Sequence, residues 1–219
     1  MRSGIVEDVK RGLIISSVLV GALVLPALAQ APGALKFDFS DPKKINSVQW
    51  FIDSPLEPIA GSASGVSGTL VFDPANPAKS SGTLVIDAKT IAAPVALMSE
   101  HIQGGQWLDT TKYPTIEFKL KKVKAGKANK AGRLVAVVTG DLTVRGITKE
   151  VTTPVTVQHI KGGLADRTRG GMQGDTFKLR TDFTISRKDF AIGPQDERTS
   201  KVVGDSIELR VALTGGQAK

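Results

Sequence analysis

The sequence predicts an all-β fold. Along nearly every segment after Ala34, apolar residues alternate with polar ones, and successive strand side chains point to opposite faces. Each segment therefore has one dry face and one wet face, the antiparallel pattern. Turn signals separate the segments, which suggests a closed barrel or a sandwich. Between these strands one stretch, Pro94 to Gly105, shows no alternation.

The chain opens on a targeting segment. Arg2, Lys10 and Arg11 precede an apolar run from Gly12 to Leu25, then Pro26 and Ala27-Leu28-Ala29. A basic start, a short apolar stretch and a small-x-small site describe a cleavable secretory signal. Cleavage after Ala29 divides the chain into a signal over residues 1–29 and one domain over residues 30–219. The apolar run falls short of the roughly 20 residues that a membrane span needs. An uncleaved inner-membrane anchor is the lesser alternative, and the domain is expected outside the cytoplasm.

The strands follow in order. Val48, Trp50 and Ile52 alternate with Gln49 and Phe51; Leu70 and Phe72 with Thr69 and Val71; Leu84 and Ile86 with Val85 and Asp87. Ile116, Phe118 and Leu120 stand against Glu117, Lys119 and Lys121. Gly140 to Val151 reads as a hairpin, with Leu142 and Val144 on one face and a turn at Arg145-Gly146, where glycine enters positive φ without steric cost. Ile147 to Val157 continues extended, and Pro154, lacking a ladder donor, suits an edge or a bulge. Phe177, Leu179, Thr181, Phe183 and Ile185 form one face of the next strand. Ile207, Leu209, Val211 and Leu213 form one face of the last.

Pro94 and Gly104-Gly105 bracket a short helix near residues 94–103. Pro55 to Gly65, Lys124 to Gly132 and the five-glycine stretch Gly162 to Gly174 have the composition of mobile loops or lids. No internal repeat or domain boundary is visible.

Composition narrows the function classes. There is no cysteine, so disulfides, thiolates and cysteine metal sites are excluded. The net charge of +8 suits solubility or transient contact with an anionic membrane surface. No RNA-binding signature or basic helix accompanies it, so nucleic acid is not an expected partner. The two histidines, His101 and His159, have no carboxylate at ligand spacing, and no metal is expected. His101 and Asp109 can be cast as a base and its orienter for a hydrolase, but no nucleophile sits in a recognisable frame. Asp141, Asp189 and Asp205 are expected to bond turn backbone.

Four stretches stand out in order: His101 with Trp107-Leu108-Asp109 and Tyr113 to Phe118; Gly140 to Lys149; Ile185 to Phe190; and Val203 to Leu209. Together they resemble the YceI-like family of polyisoprenoid-binding periplasmic proteins. Departures from the family pattern are Ser99-Glu100 before the helix histidine, Trp107 for a Phe, Ala191 for a Gly, and no histidine near Asn46-Ser47. The resemblance implies an extended, lipocalin-like antiparallel barrel of about eight strands, whose lumen holds side chains or one small ligand. It implies a periplasmic binding or carrier protein, not an enzyme. Its ligand would be a long-chain isoprenoid, a quinone or polyprenyl lipid, with no other cofactor and as a monomer or homodimer.

An isoprenoid tail makes no hydrogen bonds, so its site needs apolar area. The expected lumen face is Trp50, Ile52, Leu70, Phe72, Leu84, Ile86, Trp107, Leu108, Ile116, Phe118, Leu120, Val138, Leu142, Phe177, Leu179, Phe183, Ile207, Leu209 and Val211. Arg145, Lys149, Arg167 and Arg169 are candidates to meet an anionic headgroup at a barrel mouth. The alternative is a non-carrier structural or stress-response protein, in which the same face is simply filled core.

Overall fold

The computed structural model describes residues 33–41, 43–56, 58–128 and 133–218. The expected signal over residues 1–29 lies outside them. The strands are β1 (Leu35–Asp38), β2 (Ser47–Ile52), β3 (Ile59–Ala63), β4 (Val66–Phe72), β5 (Ser81–Asp87), β6 (Thr115–Ala128), β7 (Arg133–Val144), β8 (Ile147–Ile160), β9 (Thr176–Ser186) and β10 (Ser206–Gln217). All pairings are antiparallel, in the order β1-β4-β5-β6-β7-β8-β9-β10-β2-β3, and β1 also pairs with β10. The circuit from β1 through β4 to β10 and back is a closed eight-stranded barrel.

Closure depends on a divided partner for β10. Its first half, Ile207 to Ala212, pairs with β2, and its end, Gly216 and Gln217, pairs with β1. Between those two short strands the chain has no ladder, and Asn46 fills the gap. Its buried side chain donates to the Phe39 and Thr214 carbonyls at 3.1 and 3.2 Å and accepts from the Thr214 N–H at 2.8 Å. An amide can do this because it carries donors and an acceptor on one planar group.

Three helices cover the ends. α1 (Ala96–Gln103) joins β5 to β6, α2 (Gly163–Arg167) joins β8 to β9, and α3 (Glu197–Val202) joins β9 to β10. α1 is the helix expected near residues 94–103, but Pro94 stands before its N-cap, Val95, and not in its first turn. The chain order places α1, α3 and the β7–β8 turn at one end of the barrel and α2 at the other.

The three stretches expected to be mobile loops are corrected in part. Pro55 to Gly65 contains β3, held to β2 from Ile59 to Ala63. Lys124 to Ala128 continues β6, and residues 129–132 lie outside the described ones. Gly162 to Gly174 contains α2, whose Gly163 and Leu164 are buried; Leu164 N–H donates to the Gly174 carbonyl at 3.0 Å. Small residues there permit close packing, so glycine content misreads as flexibility.

Two apolar clusters sit at the two ends. Ile52, Leu108, Leu142, Ile185, Phe190 and Ile192 gather at the α1 end, with Trp50 and Trp107 packed against them. Phe37, Phe39, Phe72 and Phe177 gather at the other, where Phe72 and Phe177 lie 4.8 Å apart between ring centres. Phe37 is fully buried, yet β1 is too short to announce itself by alternation.

Asn46→Ala strands the Thr214 N–H and two carbonyls inside the closure, which costs about 2 kcal/mol or more at roughly 1–3 kcal/mol per unmade buried bond. Urea unfolding measures it, and a loss below about 0.5 kcal/mol, the range of neutral surface changes, would show that the gap closes without the amide.

Candidate functional site

The barrel holds a partly open apolar cavity of about 380 Å³ that reaches residues of both clusters. Every apolar residue expected on the inner face, from Trp50 to Val211, lines it. Among the described residues no Lys, Arg, Asp or Glu contributes to the wall; His101, at the α1 end, is its one ionisable side chain.

The backbone explains the sorting. In β6 the register slips between Leu120 and Lys122, a bulge that reverses the faces. Val123 therefore lines the cavity while Lys122 and Lys124 face water. Gly140 faces inward opposite Leu120, and a Cβ there would lie 2.3 Å from the Phe118 ring. The missing side chain is the space into which Phe118 folds. Pro154 pairs with Val137 on one side only, since the β8–β9 ladder runs from Thr156 to Ile160. Its lack of an N–H therefore costs nothing, as expected for an edge. The carbonyl of Pro154 accepts from the Thr181 hydroxyl at 2.8 Å, and Thr181 meets Thr153 at 2.8 Å, so both wall hydroxyls are satisfied.

Several wall residues were not anticipated. Leu134 and Ala136 share the face of Val138, and Val155 and Val157 stand two apart in β8, so simple alternation could have found them. Phe39, Ile91, Ile102 and Ile192 lie outside the strands and carry no periodic signal.

The structure does not bring the four headgroup candidates together. Arg145, at φ 50° in the β7–β8 turn, donates to the Ala191 and Gly105 carbonyls and so braces the α1 end. Lys149 is exposed beside it. Arg167 donates to the Thr214 carbonyl at 3.1 Å and stands 3.8 Å from Asp41, with exposed Arg169 nearby in sequence. The pairs sit at opposite ends of β8, roughly 40 Å apart along a 14-residue strand. His101 is exposed on α1, and Asp109 adopts φ 49° in the turn that follows. Asp141 differs from its expected turn role: it lies in β7 and accepts from Lys121 at 3.2 Å.

Two carboxylates tether the ends. Burial raises the Asp205 pKa, but hydrogen bonds from the Ser186 hydroxyl and the Lys188 N–H, at 2.7 and 2.9 Å, outweigh it and hold the group below its ordinary value. Burial likewise opposes ionisation of Asp175, and bonds from the Gly162 N–H and His159 outweigh it in the same direction.

The geometry defines a class: a closed antiparallel barrel around an apolar cavity. The YceI-like domain family matches residues 37–215, and the chain belongs to it. Protein YceI of Shigella flexneri is 30% identical over 163 residues, which cover 73% of this chain and 74% of that protein. The crystal structure of BcnA from Burkholderia cenocepacia superimposes with a TM-score of 0.62 at 23% identity, covering 77% of this chain and 95% of the other. A polyisoprenoid binding domain from Saccharophagus degradans, implicated in plant cell wall breakdown, superimposes at 0.60 with 10% identity, covering 84% and 99%. The lipocalin-like barrel expected from the sequence is thereby shown.

Phe118→Asp places a carboxylate on the uncharged wall without a partner and is expected to destabilise by about 3 kcal/mol or more; a variant with wild-type melting would show that this ring does not face inward. The depressed folded pKa values of Asp175 and Asp205 contribute stability that is full above about pH 4 and is lost as pH falls through the folded values. Replacing both by Asn should lower stability at pH 7 and flatten its decline below about pH 4, read from urea midpoints across pH.

Proposed function

We propose that this chain is a carrier that holds a long-chain isoprenoid, a quinone or polyprenyl lipid, or a similar amphiphile in its barrel outside the cytoplasm. The observation that carries this reading is the cavity inside the barrel, whose apolar wall is free of Lys, Arg, Asp and Glu among the described residues. Its volume of about 380 Å³ lies within the range of small-ligand sites, roughly 300–1,000 Å³. Burial supplies about 25 cal/mol per Å², so roughly 300 Å² of buried tail contributes about 7 kcal/mol before the cost of association. A guest of that kind needs no specific polar contact to bind. The polyisoprenoid-binding description of the Saccharophagus degradans neighbour points the same way. The alternative of a solidly filled barrel is the weaker reading, because its interior would leave no such space.

The amino-terminal signal supports export, to the periplasm in a cell with two membranes, with an inner-membrane anchor as the other arrangement. The α1 end supports transient contact with a bilayer: Leu56, Val95, Leu97 and Val202 are all exposed there. Among the described residues no hydrogen bond joins the His101 ring to a hydroxyl, and the carrier reading needs no catalytic group.

Organic extraction of the purified mature protein, followed by mass spectrometry, is expected to release an isoprenoid lipid. Stripped protein is expected to take up added quinone. Absence of both lipid and uptake would overturn the carrier reading.

A further inference from the structure

We infer that the α1 end of the barrel is the guest's door and that its partner there is a lipid bilayer: exposed apolar tips on three segments dock on the membrane, and the tail passes under α1 between bilayer and cavity. The inference rests on the carrier reading and adds to it where the guest enters and from what source.

One residue marks the mouth. Among the described residues that line the cavity, His101 alone is exposed; the others are buried or half-buried. Met98, His101 and Ile102 stand at i, i+3 and i+4 and so share the inner face of α1. No residue of α1 is buried. Side chains tie the helix to the chain before it: the Ala93 N–H donates to the Ser99 hydroxyl at 2.9 Å, and the Gln103 amide donates to the Ile91 and Lys89 carbonyls at 2.9 and 3.1 Å. α1 is a cover over the mouth and not part of the packed core.

Apolar residues surround this mouth on the outside. Pro94, Val95, Ala96 and Leu97 are consecutive, apolar and all exposed, Val95 and Leu97 by 57 and 59%. Leu56, between β2 and β3, is 72% exposed, and Val202, at the end of α3, is 38% exposed. The three segments meet. Ser62 of β3 and Ala92 exchange backbone hydrogen bonds at 2.9 Å, and the Gly204 N–H after α3 donates to the Ser54 hydroxyl at 3.2 Å. Each tip is also continuous with the wall: Leu97 precedes Met98, Val202 precedes Val203, and Leu56 shortly precedes Ile59, and Met98, Val203 and Ile59 all line the cavity. Apolar surface thus runs from solvent over the rim into the lumen.

A run of exposed apolar residues calls for a partner. A protein partner needs one continuous, shape-matched surface, whereas a fluid bilayer admits separate tips. The neighbouring charges are of both signs: Asp53, Glu100, Arg198, and Lys201 paired with Glu197 at 2.7 Å. They select neither an acidic nor a basic partner. The guest supplies the last reason. Its apolar area keeps a long tail out of water, so it resides in a bilayer when it is not in the cavity.

Uptake of a long-chain ubiquinone by stripped protein from phosphatidylcholine vesicles tests this, alongside calorimetric titration with decylubiquinone added from solution. Wild type is expected to bind decylubiquinone and to take up the long-chain quinone at a rate proportional to vesicle concentration, as contact with the bilayer requires. The double variant Val95→Ser, Leu97→Ser is expected to slow vesicle uptake about ten-fold or more and to keep decylubiquinone affinity within about two-fold. Its melting temperature should be unchanged or raised, because both side chains are exposed and serine caps a helix better than valine. Met172→Ser, which removes an exposed apolar side chain at the α2 end, should leave uptake as it is. Equal uptake by wild type and the double variant, equal slowing by Met172→Ser, or no vesicle uptake by a wild type that binds decylubiquinone overturns the door and leaves the carrier reading standing. An uptake rate independent of vesicle concentration also overturns the door, since the quinone then crosses water unaided. Sedimentation showing a wild-type dimer that the double variant turns into monomer assigns the tips to a second copy of the chain and overturns the bilayer as partner. Binding of neither quinone by wild type overturns the carrier reading as well.

Discussion

Everything in this molecule depends on β10 being hydrogen-bonded along both edges. β9 serves one edge without interruption from Ser206 to Gly216, while the other is shared by β2 and β1. Two short strands at different heights let the wall close although neither could span it. The buried amide of Asn46 stands where the ladder would otherwise fail. A sheet left open there would expose unpaired backbone and admit water to the interior.

Closure turns alternation into an inside and an outside. Lys119, Lys121 and Lys122 of β6 face water, while their neighbours Phe118, Leu120 and Val123 face the cavity. The two aromatic-rich clusters pack the ends, and Gly61 and Gly140 leave room for the Trp50 and Phe118 rings to lie against backbone. An apolar void between packed ends is what a guest without hydrogen-bonding groups requires.

Much of this was legible because a strand's pleat is local. Whether Phe118 or Lys119 faces inward follows from parity within one strand once either is known to be buried. Parity failed where the chain departs from a strand: Phe39, Ile91 and Ile192 reach the wall from loops and turns. Glycine-rich composition misled at Gly162 to Gly174, since the same small side chains that loosen a loop also let α2 pack tightly beneath β10. The basic candidates looked like one headgroup site only because sequence does not record that β8 separates them.

By itself the sequence determined the all-β class, the inward face of most strands and, through four blocks in order, the family. These are consequences of period, turn chemistry and residue type over a few positions. Tertiary structure alone decided that β10 takes two partners, that Asn46 joins them, that a cavity survives, and that Trp50 and Arg187 are buried without full complements of acceptors. Those outcomes depend on distances between segments far apart in the chain and on how completely their side chains fill a shared volume, which no local pattern encodes.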